Sequence, residues 1–430
     1  MSVFPLFFPN DLILEVLSLL NVKAILRFRC VSKFWDILIS NPSFVNLHLK
    51  SSEKRNPHFL LLASHTKKFP TKTLYGSDEF EHDYVVFPYS ISRLVENPSF
   101  TITTDSDYIV QHKECSDIVG SCNGLICLSC EYYNYEYYEY WLRLWNPATR
   151  TTSPKFGLFR LYSNTPGCPT SKGCYRFSFG CDNSSGTYKV MASCYFRHQQ
   201  RSNVKILSLG DNVWRDFESF PVEPIDADYA CGTDYDDVYF KSTITWLGIR
   251  NKLCTRAYNF TDIKDFTVKH FVIVSLDLRT ETYNQYLLPP DFDQVPHRAP
   301  IIGVLGDCLC FSYCYKETDF IIWQMKEFGI QDFWTQFLKI SYHSLQIHYD
   351  YSDENAKYHF YFVPLFFSED GDTLILHCSR EGSQDIIYNQ RNNTVKQTKI
   401  TATKTITDDR IGDPCCCSVK GYFESLVSVF

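Results

Sequence analysis

Five hairpin-like segments recur along this 430-residue chain. Each has an apolar strand, a short polar turn and a second strand: LRLWNPATRTTSP, KILSLGDNVWRDF, VIVSLDLRTETYNQY, FIIWQMKEFGIQDFW and IIYNQRNNTVKQ. Aligning them at Asn146, Ser208, Asp277, Gln324 and Asn389 gives successive spacings of 62, 69, 47 and 65 residues. Apolar runs separated by turn residues at such spacings predict a mostly β domain made of repeated units.

Another apolar strand pair precedes most copies, as in CNGLICLSC and GDTLILHCS. Three or four strands per unit is typical of a propeller blade, and a single blade cannot bury both of its faces. We therefore expect a β-propeller-like domain of about six blades, with LLLASHTKKFPTKTLYG as a degenerate first copy. Because an open ring leaves exposed strand edges, we also expect the C-terminal segment GYFESLVSV to pair with a strand near the start of the domain.

The first fifty residues differ, because their apolar residues follow a helical period. The sequence predicts three helices: one that begins at Asn10, one from about Val22, and one that Ser32 caps and that ends before Pro42. Three helices of roughly ten residues cannot bury their own apolar side chains, since domains below about 40 residues seldom stand alone. The rest of the chain or another protein must cover them.

Residues 8–49, FPNDLILEVLSLLNVKAILRFRCVSKFWDILISNPSFVNLHL, closely resemble the F-box, the helical module through which substrate receptors dock on the Skp-family adaptor of cullin-based ubiquitin ligases. RFRCVSKFW followed by NPSF carries the resemblance. The segment departs from the family in having Phe8 for the usual Leu and Asn21 for the usual Pro. The resemblance implies residues at or just beneath an adaptor interface: Pro9, Leu12, Ile13, Val16, Leu20, Val22, Leu26, Val31 and Trp35. The alternative for each is ordinary core packing.

The β region resembles the F-box-associated domain of the large plant family of F-box proteins, including the S-locus F-box-like group. The resemblance is carried, in order, by SCNGLICL, LWNPATR, VWRDF, SLDLRTE, MKEFGIQDFWTQ, FSEDGDTLIL and GYFESLVSVF. It implies an F-box at residues 1–52 and a β-propeller-like domain at residues 53–430. It also implies a non-catalytic substrate receptor of an SCF-type ubiquitin ligase, bound to the adaptor and, through it, to a cullin. A propeller enzyme or sugar-binding lectin, or an adaptor-bound scaffold that does not direct degradation, remains as an alternative.

Two segments of the β region have compositions suited to protein contact. EYYNYEYYEY, residues 131–140, is rich in Tyr and Glu, and DADYACGTDYDDVY, residues 226–239, is rich in Asp. Tyrosine is enriched at protein interfaces, and an acidic surface favours a partner with a basic patch. The candidate substrate-binding residues are Tyr132, Tyr133, Tyr135, Tyr137, Tyr138, Asp234, Asp236 and Asp237. The alternatives are an ordinary blade hairpin and a solvated acidic loop.

Charge and composition argue against nucleic-acid binding, secretion, a membrane span and a metal site. A net charge of -7 does not suggest a nucleic-acid binder. The first twenty residues contain no Lys or Arg and are interrupted by Asp11 and Glu15, so no signal peptide or membrane span is expected. We expect a cytoplasmic or nuclear protein whose 18 cysteines are mostly free thiols. Cys127 and Cys130 form a C-x-x-C, but residues three apart in a strand point to opposite faces, so we expect no metal or cofactor.

Overall fold

Four helices followed by a ring of β-sheets make up the described part of the chain. The computed structural model describes residues 9–53, 59–67, 82–102, 110–112, 115–133, 136–162, 175–196, 201–222, 224–225, 237–250, 267–296, 299–330, 333–347, 362–378, 384–402 and 415–429. The N-terminal helices are α1 (Asn10–Ser18), α2 (Val22–Arg29), α3 (Lys33–Ser40) and α4 (Pro42–Glu53). A short fifth helix, α5 (Ile91–Glu96), follows the second strand.

Local capping explains where the N-terminal helices begin. The Asn21 side chain accepts a hydrogen bond from the backbone N–H of Ala24 at 2.8 Å, and the Ser32 hydroxyl accepts one from Trp35 N at 3.4 Å. The predicted end of α3 is confirmed, but Pro42 also begins a fourth helix that the sequence reasoning missed. Proline is favoured at the first position of a helix, where its missing N–H would have no intrahelical partner.

The β region forms six sheets of four or five strands among the described residues, which confirms the predicted number of blades. Strands are numbered along the chain. Within each blade they are given in the order in which they pair, except that β9 of blade 2 pairs with β7. Blade 1 comprises β27 (Cys415–Tyr422), β1 (Phe59–Lys67), β2 (His82–Ser90) and β4 (Val110–His112). Blade 2 comprises β5 (Cys115–Cys122), β6 (Leu125–Tyr133), β7 (Tyr137–Asn146), β8 (Thr151–Thr152) and β9 (Phe156–Tyr162). Blade 3 comprises β10 (Arg176–Asp182), β11 (Thr187–Phe196), β12 (Arg201–Ser208) and β13 (Val213–Phe217).

The remaining three blades repeat the same antiparallel order. Blade 4 comprises β14 (Asp237–Phe240), β15 (Thr243–Ile249), β16 (Phe271–Asp277) and β17 (Thr282–Tyr286). Blade 5 comprises β18 (Ile301–Leu305), β19 (Cys308–Tyr315), β20 (Asp319–Met325) and β21 (Trp334–Ser341). Blade 6 comprises β22 (Phe362–Phe367), β23 (Thr373–Cys378), β24 (Gln384–Asn389) and β25 (Thr394–Gln397). Outside the blades, β3 (Ser99–Ile102) pairs in parallel with β26 (Lys399–Ala402).

The first strands of the six sheets form the inner wall of a closed ring. β5, β10, β14, β18, β22 and β27 each contact the equivalent strand of the next blade, and β22 contacts β27. Each predicted hairpin joins the third strand of a blade to the fourth, as with β7 and β8 or β24 and β25. The repeat inferred from the sequence is therefore the outer half of a blade.

The ring closes through a strand from the C-terminal part of the chain, as expected, but with a different segment. β27 pairs with β1, from Phe59 opposite Tyr422 to His65 opposite Cys415. Of the predicted segment GYFESLVSV, only Gly421 and Tyr422 belong to this strand. Residues 423–429 leave the sheet and contact blade 2 and the N-terminal helices instead.

The core lies between blades rather than in one central cluster. The second strands of blades 2, 3, 5 and 6 are mostly buried on both faces, and every residue of β15, the second strand of blade 4, is buried. The outermost strands β13 and β17 instead alternate between exposed and half-buried positions. None of the helices in the described ranges is long and apolar enough to cross a membrane.

Candidate protein-binding surfaces

Helix α1 is apolar on two sides, and only one side is covered. Leu17 is 4% exposed and packs with Ile25, Ile39 and other residues in the core of the helical module. Leu12, Val16 and Leu19 lie on the other side and are 50–65% exposed. Their spacing of four and three residues forms one stripe along the helix. A helix with a second apolar stripe is expected to contact a partner.

A second group of exposed apolar side chains lies on α3 and next to it. Val31, Phe34 and Ile37 are each more than half exposed. The Trp35 ring is half-buried and lies 5.5 Å from the ring of Phe28 and 6.2 Å from that of Phe34, centroid to centroid. These residues and the α1 stripe together are called the apolar docking face. Its residues are Leu12, Val16, Leu19, Phe28, Val31, Phe34 and Ile37.

The residues expected at or beneath the adaptor interface fall into three groups. Pro9, Leu12, Val16 and Val31 are exposed. Ile13, Leu20, Leu26 and Trp35 are half-buried against the helical core. Val22 is buried at the start of α2, so it lies in the core beneath any surface contact.

Sequence reasoning missed Leu19, Phe28, Phe34 and Ile37. All four are apolar residues within helical segments, and the sequence alone does not show which side of each helix faces the core. The signal that could have identified them is an apolar residue outside the i, i+3, i+4 stripe that the core requires.

A second candidate surface lies on blade 2, where β6, β7 and β9 pair side by side. The register places Tyr132 opposite Glu139 and Glu139 opposite Arg160, while Tyr137 lies opposite Tyr162 in the adjacent row. Tyr132 and Tyr162 are each 52% exposed. In β9, exposed residues alternate with less exposed ones, which adds Leu158 to the same side. We call Tyr132, Tyr137, Leu158, Arg160 and Tyr162 the aromatic face.

Arg160 organises the aromatic face electrostatically. Its guanidinium lies 4.7 Å from the centre of the Tyr137 ring and forms an ion pair with Glu139. The hydrogen bond and negative charge of Glu139 raise the pKa of Arg160 above its usual value. The Tyr137 and Tyr162 rings meet edge to face at 6.0 Å. The face therefore presents a fixed cation among aromatic rings, an arrangement suited to protein contacts.

Only part of the predicted tyrosine cluster reaches this surface. Tyr132 is exposed, Tyr137 is half-buried, and Tyr133 lies in β6. Tyr138 points to the other side of β7, is 4% exposed and stacks on Tyr140, so it belongs to the core between blades 2 and 3. Tyr135 lies outside the described residues.

The predicted acidic loop lies almost wholly outside the described residues, including Asp234 and Asp236. Asp237 is half-buried at the first position of β14. The role of these three aspartates stays a prediction.

The cysteines of the C-x-x-C pack on opposite sides of β6, as the strand geometry requires. Cys127 lies in the cluster between blades 2 and 3, and Cys130 lies in the cluster shared with blade 1. Within the ranges that the structure describes, no three His, Cys, Asp or Glu side chains group closely enough to hold a metal ion.

Individual known proteins resemble the chain over most of its length. An F-box/kelch-repeat protein of Arabidopsis thaliana is 27% identical over 335 residues, which cover 77% of this chain and 79% of that protein. The F-box protein CPR1 of the same plant is 23% identical over 388 residues, covering 86% and 79%. A putative F-box protein, also of Arabidopsis thaliana, is 25% identical, and the match spans 60% of its length. Among solved structures, the β-propeller domain of the Trilobed protease from Pyrococcus furiosus gives a TM-score of 0.35 at 10% identity, over 69% of this chain and 72% of that one.

Two family models match successive parts of the chain. A model of the F-box domain matches residues 6–47, which include α1, α2 and α3. A model of the F-box associated beta propeller domain matches residues 80–429, which is most of the chain. The helices, the six-bladed ring and these two matches agree, and the chain belongs to the family of plant F-box proteins with an F-box associated β-propeller domain.

Proposed function

We propose that this protein is the substrate-recognition subunit of an SCF-type cullin ubiquitin ligase. Its F-box docks on a Skp-family adaptor, which connects it to a cullin, and its propeller captures a protein substrate. The single observation that supports docking is the apolar docking face on helices that already have a buried core. The propeller performs no chemistry in this proposal. It holds the substrate near a ubiquitin-charged enzyme and so raises the effective concentration of the reacting groups.

The docking face can contribute apolar area to the core of an interface. Fully burying one Val, Leu, Ile or Phe side chain is worth about 1.5–3 kcal/mol, and seven such residues are exposed here. Basic residues lie close by in the sequence, since the first fifty residues contain Lys23, Arg27, Arg29, Lys33 and Lys50. The Arg29 side chain is held by Asp36 at 2.9 Å. We therefore expect an adaptor surface that is apolar at its centre and acidic at its edge.

The aromatic face of blade 2 is the proposed substrate contact. Tyr132 and Tyr137 are retained from the predicted cluster, and Arg160 and Tyr162 are added by the pairing of β9. Aromatic and Arg side chains carry a large share of the contact energy at interfaces. The acidic segment that precedes β14 would favour a substrate with a basic patch.

Val16→Glu tests docking. It places a carboxylate in the centre of the α1 stripe, where an unpaired charge in a desolvated interface costs several kcal/mol. We expect binding of the purified adaptor to weaken about a hundredfold or more, on the rule of about 1.4 kcal/mol per decade, while the thermal melt of the propeller is unchanged. The matched control is Asn46→Glu, which adds the same charge at an exposed position of α4. Undiminished binding by a folded Val16→Glu protein would refute the docking assignment.

The converse variant separates substrate capture from docking. Replacing Tyr132 and Tyr137 together with Ser should leave adaptor binding intact and reduce crosslinking of the native substrate to the propeller in cells. Leu287→Ser, at a 56% exposed position after β17, is the control for loss of an exposed apolar side chain elsewhere on the ring. If the substrate crosslinks to the tyrosine variant as well as to the parent, the aromatic face is not the capture site.

A further inference from the structure

The C-terminal segment after the closing strand lies between the propeller and the F-box. Residues 423–429, called the tail, follow β27 directly. Just before the tail, the Lys420 ammonium donates to the carbonyl oxygens of Ile118 and Val119 in β5, both at 3.2 Å. The last described residue, Val429, packs in the cluster between blades 2 and 3. Both ends of the tail are thus anchored on the propeller.

Two turns of blade 2 hold the middle of the tail. The Ser425 hydroxyl donates to the carbonyl of Asn123 at 2.7 Å. The Asn146 amide donates to the carbonyl oxygens of Ser425 at 3.1 Å and Val427 at 2.8 Å. Asn146 and Ser425 have no exposed surface, so these bonds lie in a dry environment where an unpaired partner is costly.

Gly124 allows the tail to approach the β5–β6 turn this closely. A Cβ atom at this position would lie 2.9 Å from the backbone nitrogen of Ser425 and nearer still to its side chain. The contact therefore requires glycine at position 124.

The same elements touch the F-box. Leu426 of the tail is buried in the hydrophobic cluster of the F-box helices, together with Leu17, Val22 and Ile25. Ala148, in the β7–β8 turn, packs against that cluster as well. The Glu424 carboxyl faces the backbone N–H of Val22, the first residue of α2, and burial raises the pKa of that carboxyl.

Asn146 holds both of the segments that contact the F-box, the β7–β8 turn and the tail. Its Oδ1 accepts hydrogen bonds from Ala148 N at 3.0 Å and Thr149 N at 3.3 Å, which fixes the turn that carries Ala148. Its Nδ2 fixes the tail on both sides of Leu426. One amide thus orients Ala148 and Leu426, which both pack against the F-box helices.

We propose that the tail, with Asn146 and Gly124, is a positioning element that sets the orientation of the F-box on the propeller. The tail contacts fix the F-box at several points and so restrict its rotation relative to the propeller. The three segments SCNGLICL, LWNPATR and GYFESLVSV meet at this joint. A fixed orientation holds a captured substrate at a defined distance from the adaptor, and this consequence rests on the proposed function.

The test measures the distance between the F-box and the propeller in the full chain without the adaptor. Spin labels are placed on non-natural amino acids at Lys50 of α4 and Arg279 of the β16–β17 turn, because the chain has 18 cysteines and at least one of them, Cys30, is exposed to a thiol reagent. The parent should give one narrow distance distribution. Leu426→Asp removes the apolar contact with the F-box, and Asn146→Asp keeps the turn acceptor while removing both donors to the tail. Each variant should lose the narrow distribution while keeping the helical and β-sheet circular dichroism of the parent.

Matched controls use the same changes outside the joint. Leu287→Asp makes the same Leu-to-Asp change at an exposed position after β17, and Asn389→Asp repeats the amide change in the equivalent turn of blade 6, where Asn389 accepts from Asn392 N at 2.9 Å. Both controls should retain the narrow distribution. A broad distribution in the parent, or a narrow one in both joint variants, would overturn the proposal. Adaptor binding does not enter this measurement, so failure of the docking assignment would be seen separately with Val16→Glu.

Discussion

At the scale of single residues, the turns of the blades are specified by side chains that bond to their own backbone. Asn146, Asp277 and Asn389 occupy equivalent positions at the ends of third strands, and each side chain accepts a backbone N–H two or three residues later. Such Asx turns explain why Asn or Asp recurs in the repeat. Asn123 and Gly124, with φ of 53° and 75°, form the two-residue turn between β5 and β6. Positive φ at both positions is typical of a type I′ hairpin.

Gly124→Ala tests the close approach of tail and turn. Alanine at positive φ costs about 1 kcal/mol. Overlap with Ser425 adds about 1–3 kcal/mol, as for other forced overpacking. Gly186→Ala is the control, because its φ is 71° and a Cβ there would meet nothing within 4 Å. Urea unfolding should therefore show a markedly larger loss of stability for Gly124→Ala, and equal losses for the two variants would contradict the contact.

At the scale of elements, neighbouring blades are joined by apolar clusters inside and by charges near the rim. Between blades 3 and 4, Glu281 in the β16–β17 turn bonds Lys189 of β11 at 2.7 Å and Arg215 of β13 at 2.8 Å. The Lys189 ammonium also donates to the carbonyl of Leu278 at 2.5 Å. The hydrogen bond from Arg215, followed by that from Lys189, lowers the pKa of Glu281 despite partial burial. The ionised carboxylate is therefore stabilised by the folded state.

Glu281→Gln should destabilise the protein by about 1–2 kcal/mol at neutral pH, because it removes charge-assisted hydrogen bonds. A lowered pKa means that this contribution is present above the ordinary Glu pKa of about 4.3 and is lost as pH falls through the folded value. The free energies of unfolding of parent and variant, measured by denaturant unfolding, should therefore become equal at low pH.

The control for this comparison is Asp216→Asn. The Asp216 side chain pairs with Lys205 but is 82% exposed. This substitution should change stability by less than about 0.5 kcal/mol at any pH. If Glu281→Gln were still less stable than the parent at low pH, the loss of stability would not come from the ionised carboxylate.

At the scale of the whole molecule, the ring depends on pairing between the two ends of the β region. β1 and β27 pair along their length although more than 340 residues separate Leu60 from its partner Gly421. Val86 and Tyr422 of blade 1 lie in one cluster with Ile118, Ile126 and other residues of blade 2, so closure also completes the core between these blades.

Two truncations of the C-terminal part test whether the ring closes through β27. A chain that ends at residue 414 lacks β27 and leaves an edge of β1 exposed, so we expect aggregation on size-exclusion chromatography with light scattering. A chain that ends at Tyr422 keeps β27 and should remain monomeric. A monomeric shorter chain with the melting temperature of the full-length protein would contradict closure through β27.

The sequence by itself determined the features that depend on neighbouring residues. The capping residue Ser32, the turns at the ends of the third strands and the alternation of strands and turns are local, so periodicity and turn chemistry predicted them. The apolar excess of the first fifty residues also predicted that an outside surface must cover them. Pro42 was interpreted only as a stop, although proline equally favours the first turn of a helix.

Only the tertiary structure decided which of several apolar sides faces the core and which distant segments meet. The exposed positions of Leu19 and Ile37, the burial of Tyr138 and the addition of Arg160 to the aromatic face follow from packing and from the pairing of β9 with β7. The contact of Leu426 with the F-box joins residues about four hundred positions apart. No local pattern encodes such contacts, because hydrophobic burial is non-directional and its partner is selected by the whole fold.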